Sequence, residues 1–157
     1  MNRLRVLLDS GPLVLLIYSL GRPDLIGTGK TKMHSKEMGA KLIDEISGAN
    51  EHISMPNILS EASNHLGAGR QEAFPSAAIG LANYISGLSE IYRPSKELVL
   101  LPEYSQVGLS DCAIISCVPQ LVQERISVFT QDHELFGRLC DYEVDTTNIM
   151  HWRTPSR

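Results

Sequence analysis

The seven residues Val6-Leu7-Leu8-Asp9-Ser10-Gly11-Pro12 constrain the fold of this chain more than any other stretch. A short apolar run ending in an acid, a serine, a glycine and a proline reads as a buried strand handing over to a helix. Proline fits the first helical turn, where its missing N–H is no loss. Asp9 is therefore expected at the carboxyl end of a strand. In an open parallel sheet ligands bind beyond that end, so an acid placed there is either a helix cap or part of a site.

The pattern repeats along the chain. Residues 13–20 are apolar all round, as a helix packed on a sheet would be. Residues 22–35 are polar and glycine-bearing and read as a long exposed loop carrying Lys30, Lys32 and His34. Met38, Leu42, Ile43 and Ile46 mark an amphipathic helix over 36–47, and 52–55 reads as a short strand. Pro56 opens a helix over 57–66 that buries Ile58, Leu59, Ala62 and Leu66 and carries Glu61 near its start. A second long helical segment is expected over 71–89, with Pro75 as a start or kink. Residues 91–94 and 98–101 are apolar pieces of unassigned type. Residues 108–118 read as a capped, buried helix with Asp111 in its first turn. Residues 126–130 read as a strand, 133–139 as a helix that Asp132 can cap, and 142–147 as an edge strand.

This alternation predicts an α/β fold, a three-layer α/β/α sandwich with a central mostly parallel sheet. At 157 residues one core suffices, and the expected division is a single domain over 1–150 with a tail over 151–157. The composition, 43% hydrophobic and 20% charged, excludes disordered and membrane classes. A net charge of −4 offers nucleic acid no global attraction, so a polyanion would need a local basic patch or bound cations. Three cysteines without a C-x-x-C pattern leave one unpaired in any disulfide scheme, which predicts a reducing, cytoplasmic setting. Arg3 and Arg5 ahead of apolar residues resemble the start of a secretory leader, but Asp9 and Pro12 interrupt its apolar core. No apolar run approaches the roughly 18 residues that span a bilayer, so no membrane partner is expected.

Asp9, Asp111 and Asp132 fall at strand ends or helix starts, and Glu61 rides a helix that begins just after a strand. Such positions face one edge of the sheet. Four carboxylates gathered there would repel one another by several kcal/mol unless protons or cations neutralised them. Hard divalent cations, Mg2+ or Mn2+, answer that charge through carboxylate and water oxygens and can activate a phosphodiester for hydrolysis. The alternative for each acid singly is a helix N-terminal cap or surface charge.

Val6-Leu7-Leu8-Asp9-Ser10, Met55-Pro56-Asn57-Ile58-Leu59-Ser60-Glu61, Gly108-Leu109-Ser110-Asp111-Cys112-Ala113-Ile114-Ile115 and Val128-Phe129-Thr130-Gln131-Asp132 together resemble, in order, the motifs of the PIN domain family of metal-dependent ribonucleases. The resemblance spans residues 5–147. It implies an endoribonuclease that hydrolyses RNA phosphodiesters with Mg2+ or Mn2+ held by Asp9, Glu61, Asp111 and Asp132. Ser10 and Thr130 would be supporting hydroxyls at the substrate. Many family members of this size are toxins of toxin–antitoxin pairs, inhibited by a partner that covers the site and often dimeric. The resemblance thus implies an antitoxin-like protein partner and a homodimer. Its alternative is a catalytically idle PIN-like module that binds protein or RNA.

Other signals compete. Residues 24–31 end like a phosphate-binding P-loop, but Asp24 replaces the first glycine and no strand precedes it; Lys30 and Lys32 are instead expected either to touch substrate phosphates or to stand on a solvated loop. The five histidines show no H-x-x-x-H spacing for zinc, and His65, one turn beyond Glu61, is either a surface residue or an orienting one. No second aspartate follows Asp9 for phosphoaspartate chemistry, and no Gly-x-Ser-x-Gly elbow supports a serine hydrolase. Trp152 and Tyr142 are expected to close the core, the alternative being to stack on bases.

Overall fold

A computed structural model of the protein describes residues 4–67 and 69–154; Arg3 of the leader-like start and residues 155–157 of the expected tail lie outside them. Five strands, β1 (Arg5–Leu8), β2 (Glu51–Ser54), β3 (Ser89–Glu90), β4 (Ile126–Thr130) and β5 (Thr146–Asn148), form one sheet in the order β3-β2-β1-β4-β5. Every pairing is parallel. Helices flank the sheet, making the three-layer α/β/α sandwich expected from the alternation. Val6, Leu7 and Leu8 are almost wholly buried, as a central parallel strand covered on both faces requires.

The eight helices of the described chain are α1 (Ser10–Gly21), α2 (Lys36–Ile46), α3 (Pro56–His65), α4 (Ala77–Ser86), α5 (Ser95–Leu98), α6 (Tyr104–Ser116), α7 (Val118–Gln123) and α8 (His133–Asp141). The helix α1 runs buried from Ser10 to Tyr18 and contacts α2, α3 and α4, while its last turn opens to solvent at Leu20. Ile149–Trp152 forms a 3-10 turn whose Trp152 packs on the core and under the Lys41 ammonium, 5.2 Å from the ring centre. No helix among the described residues is long and apolar enough to cross a membrane.

The structure corrects several expectations. The helical segment expected over 71–89 is helical only in α4. Pro75 is followed by Ser76 in the left-handed region at φ 71°, so no helix runs through that point and α4 starts after it. The helix expected over 108–118 begins earlier, at Tyr104, and is kinked at Gly108 (φ 80°, ψ −178°). It stops at Cys117, where Pro119 starts α7 afresh. The edge strand expected over 142–147 forms only as β5, after Glu143 turns at φ 61°. Of the unassigned pieces, 91–94 forms no helix or strand and 98–101 begins at the last residue of the single turn α5 and continues as turns.

The strand order places β2 and β3 on one side of β1, and β4 and β5 on the other. The chain thus reverses its winding between β1 and β4, and a crevice opens beyond the carboxyl ends of these two strands. Asp9 N–H donates to the Phe129 carbonyl at 2.9 Å, so pairing of the two strands continues one residue past β1 and holds Asp9 at the crevice.

Candidate active site

Four elements deliver an acid to this edge. Asp9 leaves β1 as the N-cap of α1, its Oδ1 accepting from Ser10 N–H at 2.8 Å. Glu61 stands on α3, which starts at Pro56 directly after β2. Asp111 follows the Gly108 kink in α6, in the first turn of the second half of that helix. Asp132 caps α8, accepting from Leu135 N–H at 2.8 Å, two residues after β4 ends. Asp9, Glu61, Asp111 and Asp132, with Ser10, Gly11, His65 and Gln131, line one cleft of about 220 Å³. Asp9 and Asp132 therefore both cap helices and face the cleft; the two readings of these acids coexist.

Hydroxyl groups fix the acids. Thr130 Oγ1 donates to Asp9 Oδ2 at 2.9 Å and accepts from Asp132 N–H at 3.0 Å, tying the ends of β1 and β4 together through one side chain. Ser10 Oγ donates to Glu61 Oε1 at 3.0 Å, joining α1 to α3. Thr130 is fully buried, with its hydroxyl engaged as donor and acceptor. Both hydroxyls thus orient carboxylates; Ser10 also lines the cleft, whereas Thr130 is not among its lining residues.

Among the described residues no lysine or arginine lines the cleft, so no cationic side chain there compensates the acids. Burial pushes the Asp9 carboxyl from 3.8 up to about 6. The Ser10 N–H and Thr130 hydroxyl pull it back, while Glu61 and Asp132 add to the rise. Burial likewise pushes Asp111 up to about 7, and Asp9, Asp132, Glu61 and Glu134 raise it further. Among the described residues no three His, Cys, Asp or Glu side chains are gathered closely enough to hold a metal ion as they stand. The donor set nonetheless fits a hard divalent cation in kind: four carboxylates on one cleft, two of them held well above the usual carboxylate range by uncompensated charge and burial.

Lys30 and Lys32 are exposed on a 3-10 turn and its C-cap, in the loop of residues 22–35, and neither lines the cleft. The P-loop-like segment is two 3-10 turns on either side of Gly27, with Thr31 turned inward to the Thr28 carbonyl at 2.8 Å. The loop reaches the cleft edge through His34 instead. That ring is buried, and its Nε2 lies 2.7 Å from Oε1 of the cleft residue Gln131. Burial lowers the His34 pKa, against a smaller raising contribution from Gln131. The sequence pattern assigns no site role to Gly11, Gln131 or His34. The signal for Gln131 was its position between Thr130 and Asp132 at a strand's carboxyl end; His34, 97 residues away, left none. His65 does line the cleft, one turn after Glu61.

The chain matches no model of a known protein family, no curated protein and no solved structure.

Proposed function

We propose that this protein is a divalent-metal-dependent endoribonuclease, with Asp9, Glu61, Asp111 and Asp132 as its metal-holding acids and Mg2+ or Mn2+ as its cofactor. The observation that carries the reading is the convergence of these acids, from four separate elements, on one cleft at the winding reversal of a parallel sheet. Two of them are held near neutrality by burial and mutual repulsion, which perturbs carboxyls at functional sites far more often than at surface caps. A divalent cation bound there would neutralise the acids, attract an anionic phosphodiester and withdraw electron density from its phosphorus. Hydrogen bonds from Thr130 to Asp9 and from Ser10 to Glu61 hold these two carboxylates at the cleft. The choice of RNA, and an antitoxin-like inhibitor and a homodimer with it, rests on the resemblance of the four motifs to PIN domains.

A specific observation favours the second reading, an idle PIN-like module that binds protein or RNA: the acids are not drawn into a ready set of three, and both Asp9 oxygens already accept hydrogen bonds. The test is cleavage of a panel of labelled RNAs with Mg2+ or Mn2+, comparing wild type, Asp111→Asn and an EDTA control, with calorimetry for metal binding. Cleavage that needs both metal and Asp111 supports the nuclease. RNA binding without metal uptake or cleavage moves the assignment to the module.

A further inference from the structure

Around the acids, the cleft has few groups that could receive an anion. Of its lining side chains only Ser10, His65 and Gln131 carry N–H or O–H donors apart from the acids, and the Ser10 hydroxyl is already given to Glu61. Gln131 is held in a defined way. His34, 7% exposed, sits with Nε2 2.7 Å from Gln131 Oε1, while its Nδ1 is buried with no partner among the described residues. The empty Nδ1 decides the tautomer. A buried N–H without an acceptor is rarer and more costly than a buried lone pair without a donor, so the proton belongs on Nε2. His34 Nε2–H therefore donates to Gln131 Oε1, and the Gln131 amide presents its NH2 as the free end.

Gly11 completes the seat. A Cβ at residue 11 would collide with Cγ, Cδ and Oε1 of Gln131, so the amide lies directly over the first turn of α1 because that residue has no side chain. Three residues distant in sequence, Gly11, His34 and Gln131, thus hold one neutral N–H donor at the mouth of an acidic cleft.

We propose that Gln131 is a substrate-orienting residue of this cleft, donating from its Nε2 to a non-bridging oxygen of the bound phosphodiester, and that His34 and Gly11 are the positioning residues that fix its amide. This rests on the nuclease reading. A neutral donor suits the task, since a lysine at this place would pair with the carboxylates and compete with the cation they hold, whereas an amide hydrogen-bonds the phosphate without doing so.

The experiment has a structural arm and a functional arm. In the structural arm, thermal unfolding is measured for Gly11→Ala, Gln131→Ala and the double variant. Gly11→Ala is expected to lower Tm in the wild-type background and to cost little once Gln131 is Ala. Equal costs in both backgrounds would overturn the proposed seat. In the functional arm, Gln131→Ala and His34→Phe are expected each to raise KM for a labelled oligoribonucleotide roughly tenfold, the size of one hydrogen bond to a charged group. The double variant should lose no more than either alone, and Mn2+ affinity by calorimetry should be unchanged. The loss should also be equal for substrates with different bases at the cleaved step. An unchanged KM, or a loss confined to one base, overturns the phosphate contact while cleavage by the wild type leaves the nuclease reading standing. Wild type that neither cleaves RNA nor takes up Mn2+ overturns both.

Discussion

Replacing Asp9 by Asn is expected to stabilise the metal-free protein at alkaline pH and to do nothing useful at acid pH. Asp9 is 7% exposed, and its carboxyl rises from 3.8 to about 6 in the fold, so the charged form is disfavoured there by ~3 kcal/mol relative to the unfolded chain. The sign follows from the direction. A carboxyl whose folded pKa is raised contributes its full stability below about pH 4, where it is protonated in both states, and loses it as pH rises through about 6. Asp111, raised to about 7, extends the same loss toward neutrality. Asparagine carries no charge, still caps a helix well, and can accept from Ser10 N–H, but it gives up the bond from Thr130, worth ~1 kcal/mol. The net gain for Asp9→Asn is therefore ~2 kcal/mol at pH 8, a rise in Tm of roughly 4–8 °C for a domain of this size. At pH 4.5 the gain should vanish or reverse by about 1 kcal/mol. Urea denaturation in EDTA at the two pH values measures it. Equal effects at both, or destabilisation at pH 8, would refute the view that uncompensated charge strains this cleft. Adding Mn2+ at pH 8 should return ~2.7 kcal/mol to wild type at a hundred times its Kd, and clearly less to Asp9→Asn.

Three further outcomes follow from single contacts. Gly108→Ala should cost ~1–3 kcal/mol, because φ 80° with ψ −178° is a region that only glycine occupies freely; no atom lies within 4 Å of the added Cβ, so the cost is backbone strain alone, read as a shift in urea midpoint. Displacing that kink also displaces Asp111, and Mn2+ affinity by calorimetry should fall with it. Thr130→Val keeps the side-chain shape but strips Asp9 of a donor and Asp132 N–H of its acceptor, so ~1–3 kcal/mol should be lost and the pH at which stability declines should change; a loss below about half a kcal/mol would contradict the bridging role. Gly67→Ala meets the Gln71 carbonyl oxygen at positive φ and should lower Tm by roughly 4 °C or more, the backbone having no flexible end to yield.

The strand-to-helix junction at Asp9, the helices α2, α3 and α8 and the strand β4 were legible in the sequence, because each is specified by nearest-neighbour features: apolar period, a capping acid or serine, a proline in the first turn. The same local logic failed over 71–89. The apolar period there continues past Ser76, whose backbone turns left-handed and cannot sustain a helix.

By itself the sequence determined which residues are acids at element ends, and hence that a parallel α/β sheet would carry them to its carboxyl edge. Only the tertiary structure decided that Asp9, Glu61, Asp111 and Asp132 share one cleft, that Ser10 and Thr130 serve the acids, and that the polar loop enters through His34 and leaves Lys30 and Lys32 in solvent. The reason is physical. Helices, caps and strands are set by interactions within a few residues, whereas the pKa of a carboxyl and the tautomer of a buried histidine depend on groups that meet only when segments up to 121 residues apart pack together.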